Sequence, residues 1–260
     1  MNELIPINSD LSIQSRLAEG RLPRFGPLLM LIARPLLLLA TQGLALLLFM
    51  QLKVPNASVA IRNWSSVFGT LVDLGCLGLL IWLTRREGIR LLDLIGFIKN
   101  KLKTDIPIGL GIFLIVFPVT IMGGGMVAML ITYGTISPVF PVGTLSRTLP
   151  LLAVLYSRIL WWPIWSATEE MTYNGYALPR MYAMTKSRWM SVMIVCFFFS
   201  IQHCFLSMAG FQYGFYIFLT FIPLTLAMEL IYLRVRRLTP LIIGHWMMDF
   251  FSVLFMVHIG

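Results

Sequence analysis

Long apolar runs, separated by short polar or basic links, make up most of this 260-residue chain. The first run, 25–52, is interrupted only by Arg34 and Pro35, and others follow at 66–84, 106–133, 189–208, 213–233 and from 238 to about 259. Each is close to the ~20 residues that a helix rising 1.5 Å per residue needs to cross a bilayer. A further stretch rich in tryptophan, reaching from about 149 to 180, returns the chain to the membrane. The pattern therefore predicts an all-α polytopic bundle of about seven transmembrane helices. Residues 85–105 read RREGIRLLDLIGFIKNKLKTD, with basic residues alternating with Leu, Ile and Phe at helical spacing. That alternation predicts a helix lying flat on the cytoplasmic leaflet. Pro107, Pro118 and Gly123 to Gly125 predict a kink or a close helix approach in the third span. The polar residues 1–24 form a cytoplasmic N-terminal segment in this reading. No small-residue cleavage pattern follows them, so the first run is expected to stay as a helix. Residues 25–260 then form a single membrane domain with no visible repeat.

Composition agrees with that pattern, because 58% of the residues are hydrophobic and only 12% charged, a balance that no soluble core requires. The net charge of +9 would suit nucleic acid in a soluble protein. Here the distribution of the basic residues gives it another meaning. When alternate links are assigned to opposite sides, fifteen of the 20 Lys and Arg fall on the side of the N-terminus and three on the other. This bias makes a nucleic-acid partner unnecessary and predicts a cytoplasmic N-terminus and a non-cytoplasmic C-terminus. Cys76, Cys196 and Cys204 lie within apolar runs without metal-type spacing, so neither a disulfide framework nor a zinc cluster of cysteines is expected.

Candidate chemistry comes from the polar residues that such a chain has to hide. Glu169 and Glu170 stand together inside the segment WWPIWSATEEMTYNGYALPR. An acid at the bilayer centre costs on the order of 3 kcal/mol, so a pair implies a protein interior or a wet cavity. Two of the three histidines, His203 and His245, lie in later spans, and Asp249 follows His245 by one helical turn on the same face. In lipid, acids and imidazoles on three helices satisfy one another most cheaply. The set offers a carboxylate to take a proton from water, an imidazole to hold that water and donors for an oxyanion. Glu169, His203 and His245 are equally a candidate ligand set for a divalent metal such as zinc. Spacing alone does not separate the two readings.

These residues resemble the CPBP family of membrane proteins, also called Abi, which includes the type II CAAX prenyl endopeptidases and bacteriocin-processing or immunity proteins. Its pattern of Glu-Glu-x-x-x-Arg, Phe-x-x-x-His and His-x-x-x-Asn/Asp is similar, in order, to Glu169-Glu170, Phe199 to His203 and His245 to Asp249. Gly175 matches a glycine that often follows the first motif. The motif-bearing core would be 149–260. The resemblance implies an intramembrane endopeptidase acting on a membrane-associated peptide or protein. Glu169 would be the general base, helped by His203; His245 and Asp249 would stabilise the oxyanion, and Glu170 would orient its neighbours. One position departs from the family: Asn174 stands where it has arginine, which leaves the second glutamate without its compensating charge. Neither Arg158 nor Arg180 is placed to replace it. That departure motivates the alternative of a non-catalytic family member acting as an immunity or membrane binding protein.

Overall fold

The computed structural model describes residues 7–207 and 209–260. The first six residues of the expected N-terminal segment, and Met208, the expected end of the fifth span, lie outside the described residues. The architecture is a helical bundle. A short amphipathic helix α1 (Asp10–Ala18), capped by Ser9, precedes α2 (Gly26–Gln51), α3 (Ala57–Asn63) and α4 (Ser65–Arg86). After α4 the expected flat helix is absent. Between α4 and Leu102 the chain instead forms two 3-10 turns, Leu91–Leu94 and Lys99–Lys101, because Gly88 and Gly96 adopt left-handed φ of 74° and 63° and end any helix there.

A helical run over 102–133 follows, containing α5 (Leu102–Gly111), α6 (Gly124–Tyr133) and two π segments between them. A second run, 151–185, contains α7 (Leu151–Tyr156), α8 (Trp162–Glu170) and α9 (Leu178–Thr185), again joined by π segments. The remaining helices are α10 (Arg188–Ser207), α11 (Phe211–Val235) and α12 (Thr239–Met256). The wide turns have a sequence cause. The π segments Ile112–Val116, Ser157–Trp161 and Met171–Ala177 each end two residues before a proline: Pro118, Pro163 and Pro179. Proline cannot donate to the preceding turn and its ring crowds the carbonyl there, and a wider turn relieves both.

Among the described residues six helices are long and apolar enough to cross a membrane: α2, α4, the run ending at Tyr133, α10, α11 and α12. The run 151–185 completes the bundle without meeting that measure, since tryptophans and charged residues dilute its apolar content. Thr168 to Met181 are buried without a break, so the other helices surround this run. The chain is an integral membrane protein.

Packing is close where α12 crosses α5. A Cβ on Gly244 would lie 2.6 Å from Ile112, and one on Gly109 would lie 2.6 Å from Ile243; facing glycines are what allow these backbones to approach. Ion pairs fix the ends of the helices. The fully buried Arg180 donates to both oxygens of Glu87 at 2.8 and 2.7 Å, and Arg237 pairs with Asp105 at 2.6 Å. A feature without a hydrophobic signature joins the far ends: β1 (Arg147–Leu149) pairs in parallel with β2 (Val257–Ile259), with Arg147 opposite Val257. Arg158 donates to the Val257 carbonyl at 2.6 Å, which accounts for a lone cation in an apolar helix as a cap of α12.

Candidate active site

α8 brings Glu169 and Glu170 to the middle of the bundle, and both are fully buried. They face different partners. Glu169 Oε1 accepts from Gln202 at 3.0 Å and from Arg34 at 3.3 Å, whereas its Oε2 has no hydrogen-bond partner among the described residues. Glu170 Oε1 lies 2.9 Å from His245 Nδ1, and its Oε2 accepts from the Asn174 amide at 2.8 Å. An ionised carboxylate only accepts, so this contact places the His245 hydrogen on Nδ1 and turns Nε2 inward. Nε2 stands 3.6 Å from both Glu169 Oε2 and Asp249 Oδ2. That separation is too long for a direct bond and allows one water to contact nitrogen and oxygen together. Asp249 is held in turn by Ser166, which donates to Oδ2 at 2.6 Å.

His203 is fixed differently. Its Nδ1 lies 2.8 Å from the Phe199 carbonyl, an acceptor, so Nδ1 carries the hydrogen and Nε2 is the ring's acceptor. The ring stacks on Phe221 with centroids 3.6 Å apart, and Phe199 lies 5.8 Å from it and 6.4 Å from the His245 ring. His203, His245 and Asp249 line one cavity of about 310 Å³, with Trp161, Trp165 and Met248 among its apolar walls. Glu169 does not line it; it sits immediately behind His245.

A cation does reach the acid pair, from another helix. Arg34, buried in α2, spans 3.0 Å to Asp73 of α4 and 3.3 Å to Glu169, donates Nε–H to Gln202 at 2.8 Å, and lies over the Trp165 ring at 4.4 Å. The charge therefore compensates the first glutamate, not the second, and Asn174 leaves Glu170 to His245. Sequence reasoning missed Arg34, Asp73 and Gln202, although a signal exists. Arg34 is the one cation inside the first apolar run and Asp73 the one acid inside the second, and opposite charges isolated in neighbouring membrane helices imply each other. It missed Glu229 of α11 as well; this acid is fully buried and neither oxygen has a hydrogen-bond partner among the described residues.

Among the described residues no group of three His, Cys, Asp or Glu side chains is arranged to hold a metal ion, although Glu170 on Nδ1 leaves His245 Nε2 free, as in a metal-ligating histidine.

Neither the curated proteins nor the solved structures contain a match to this chain. One family model does match: that of the Rce1-like proteins, described as type II CAAX prenyl endopeptidase Rce1-like, over residues 149–251. The matched stretch begins at the last residue of β1 and includes Glu169, Glu170, His203, His245 and Asp249. Over this stretch, which carries the candidate site, the chain is similar to the Rce1-like family.

Proposed function

We propose that this protein is an intramembrane endopeptidase that hydrolyses a peptide bond of a membrane-associated peptide or protein with a water activated by Glu169. The carrying observation is the asymmetry of that carboxylate. Oε1 is anchored by Arg34 and Gln202, while Oε2 is buried, unpartnered among the described residues and 3.6 Å from His245 Nε2. A carboxylate held at one oxygen and free at the other is preorganised to accept a proton in a fixed direction.

In this mechanism the attacking water gives its proton to Glu169 Oε2, and its second hydrogen is directed by the Nε2 acceptor of His203. The tetrahedral oxyanion is stabilised by His245, which enters the step as an imidazolium protonated on both nitrogens and keeps both protons throughout, with Glu170 holding Nδ1 and Asp249 alongside. The proton on Glu169 then passes to the leaving amine as the C–N bond breaks. The N-terminus is cytoplasmic and the C-terminus on the opposite side, as the distribution of basic residues implies. The immunity-type reading rested on a missing cation beside Glu170; Arg34 beside Glu169 and His245 beside Glu170 support the catalytic reading instead. The test is to incubate the purified chain in lipid nanodiscs with apolar peptides and identify new termini by mass spectrometry in ordinary and ¹⁸O-labelled water. One ¹⁸O in each new carboxyl terminus is expected. Intact peptides after prolonged incubation, from a panel that includes C-terminally prenylated ones, would favour the binding-protein alternative.

A further inference from the structure

Arg147 also lines the cavity that receives His203, His245 and Asp249, and its strand partner Val257 lies about 18 Å beyond His245 at a helical rise of about 1.5 Å per residue. Arg147 is the first residue of β1 and is held by backbone pairing to Val257, just past the end of α12. Its side chain makes no hydrogen bond or ion pair among the described residues, and its Nε is buried without a partner. The buried arginines of the bundle, by contrast, are engaged. Arg34 pairs with Asp73 and Glu169, Arg180 with Glu87, and Arg16 also with Glu87. Burial lowers the Arg147 pKa below its ordinary value, with the Tyr213 hydroxyl acting against that effect, and a guanidinium remains charged under such shifts. Arg147 as a whole is half-buried, but its Nε is enclosed without an acceptor, and an enclosed donor of this kind calls for one.

Much of the lining is apolar, with Ile121, Phe117, Leu224 and Val253 among it, and Thr144 and Tyr216 lie on it with Arg147. The cavity thus offers an acid and imidazole cluster, a largely apolar lining and an unpaired guanidinium.

We propose that Arg147 is a specificity-determining residue that binds the free C-terminal carboxylate of an apolar peptide lying in this cavity. The planar fork of a guanidinium matches a carboxylate in two parallel hydrogen bonds. A site with a buried donor rejects the analogue that cannot accept, because the donor is then left unpaired. The assignment rests on the protease reading only in taking the ligand to be a peptide. The same chemistry would accept the phosphate of a single-chain lipid, which the experiment separates.

The test is equilibrium binding of a fluorescent apolar peptide to the full-length protein in nanodiscs. The peptide is compared with its C-terminal amide, and dodecyl phosphate serves as competitor. Wild type is expected to prefer the free acid by roughly ten- to a hundred-fold, the range for charge-assisted hydrogen bonds. Arg147→Gln should bind both forms within about two-fold of each other and Arg147→Lys should fall between, as a point charge without the fork. Because the wild-type side chain holds nothing, unchanged thermal unfolding of both variants is expected. Equal affinity for acid and amide in wild type, or a preference that survives Arg147→Gln, overturns the assignment. Displacement by dodecyl phosphate with no acid preference among peptides overturns it in favour of a lipid anion. Carboxylate preference without cleavage would leave this subsite standing and sink the protease reading, and cleavage without preference would do the reverse.

Discussion

Replacing Arg34 by methionine removes the one fixed positive charge from the buried cluster and keeps most of the volume of the stem. Two acids lose their partner at once. At an effective dielectric constant of about 20, the contacts at 3.0 Å to Asp73 and 3.3 Å to Glu169 are each worth about 5 kcal/mol of Coulomb attraction before desolvation is set against it. The net loss on breaking a buried pair is smaller, about 3–5 kcal/mol, and it arises mainly from the acids left behind. For a chain of this size that corresponds to a fall in Tm on the order of 6–20 °C. Buried Cys76 and Cys196 supply the assay, since a thiol-reactive fluorophore reports their exposure as the protein unfolds in detergent. Adding Asp73→Asn to Arg34→Met should recover part of the loss, because one of the two stranded charges is then gone. The double variant should still have little turnover, as Glu169 Oε1 keeps only Gln202. A midpoint within about 2 °C of wild type for Arg34→Met, well inside the shift expected for a broken buried pair, or no recovery in the double variant, would refute the view that Arg34 stands in for the family's arginine.

Three further outcomes follow from the same geometry. Asn174→Arg, which restores the family residue, should lower stability by about 1–3 kcal/mol in the same thiol assay, because Asn174 is fully buried and a longer side chain overpacks a site whose cation has already been supplied. Asp249→Asn keeps an acceptor for Ser166 and should retain turnover within about ten-fold, whereas Asp249→Ala strands the serine and frees the His245 side and should lose more; steady-state kinetics on the two variants distinguishes them. Gly244→Ala should lower Tm and turnover together, since the added methyl meets Ile112 at 2.6 Å and the Gly109 carbonyl at 3.0 Å and must displace the helix that carries His245.

Much of this is legible in the sequence because hydrophobic length is a strong signal in a membrane protein. The run expected at 66–84 is the helix Ser65–Arg86, and the one expected at 213–233 is Phe211–Val235. The short motifs are legible too, since an acid pair and two histidines in apolar helices have few other reasons to be there. What escapes depends on packing between distant segments. Arg34 and Glu169 are 135 residues apart, and no local pattern links them. The β1 and β2 pairing joins two three-residue pieces too short for any alternation to register. The flat helix over 85–105 fails for a local reason that is visible in the sequence: Gly88 and Gly96 take left-handed φ, and their effect outweighs the spacing of Leu and Ile around them. The π segments are foreshadowed by prolines, but a proline in a helix signals a kink without saying how the chain absorbs it.

If Glu169 acts as the base through its free oxygen, Glu169→Gln is the most direct measurement of that role. Glutamine keeps an oxygen toward Arg34 and Gln202 and replaces only the proton-accepting oxygen by an amide. Once a cleaved peptide is in hand, kcat and peptide affinity are measured for wild type and Glu169→Gln at matched folded protein. The expected result is a fall in kcat of roughly 100-fold or more with affinity nearly unchanged. A variant that turns over within a few-fold of wild type would contradict it.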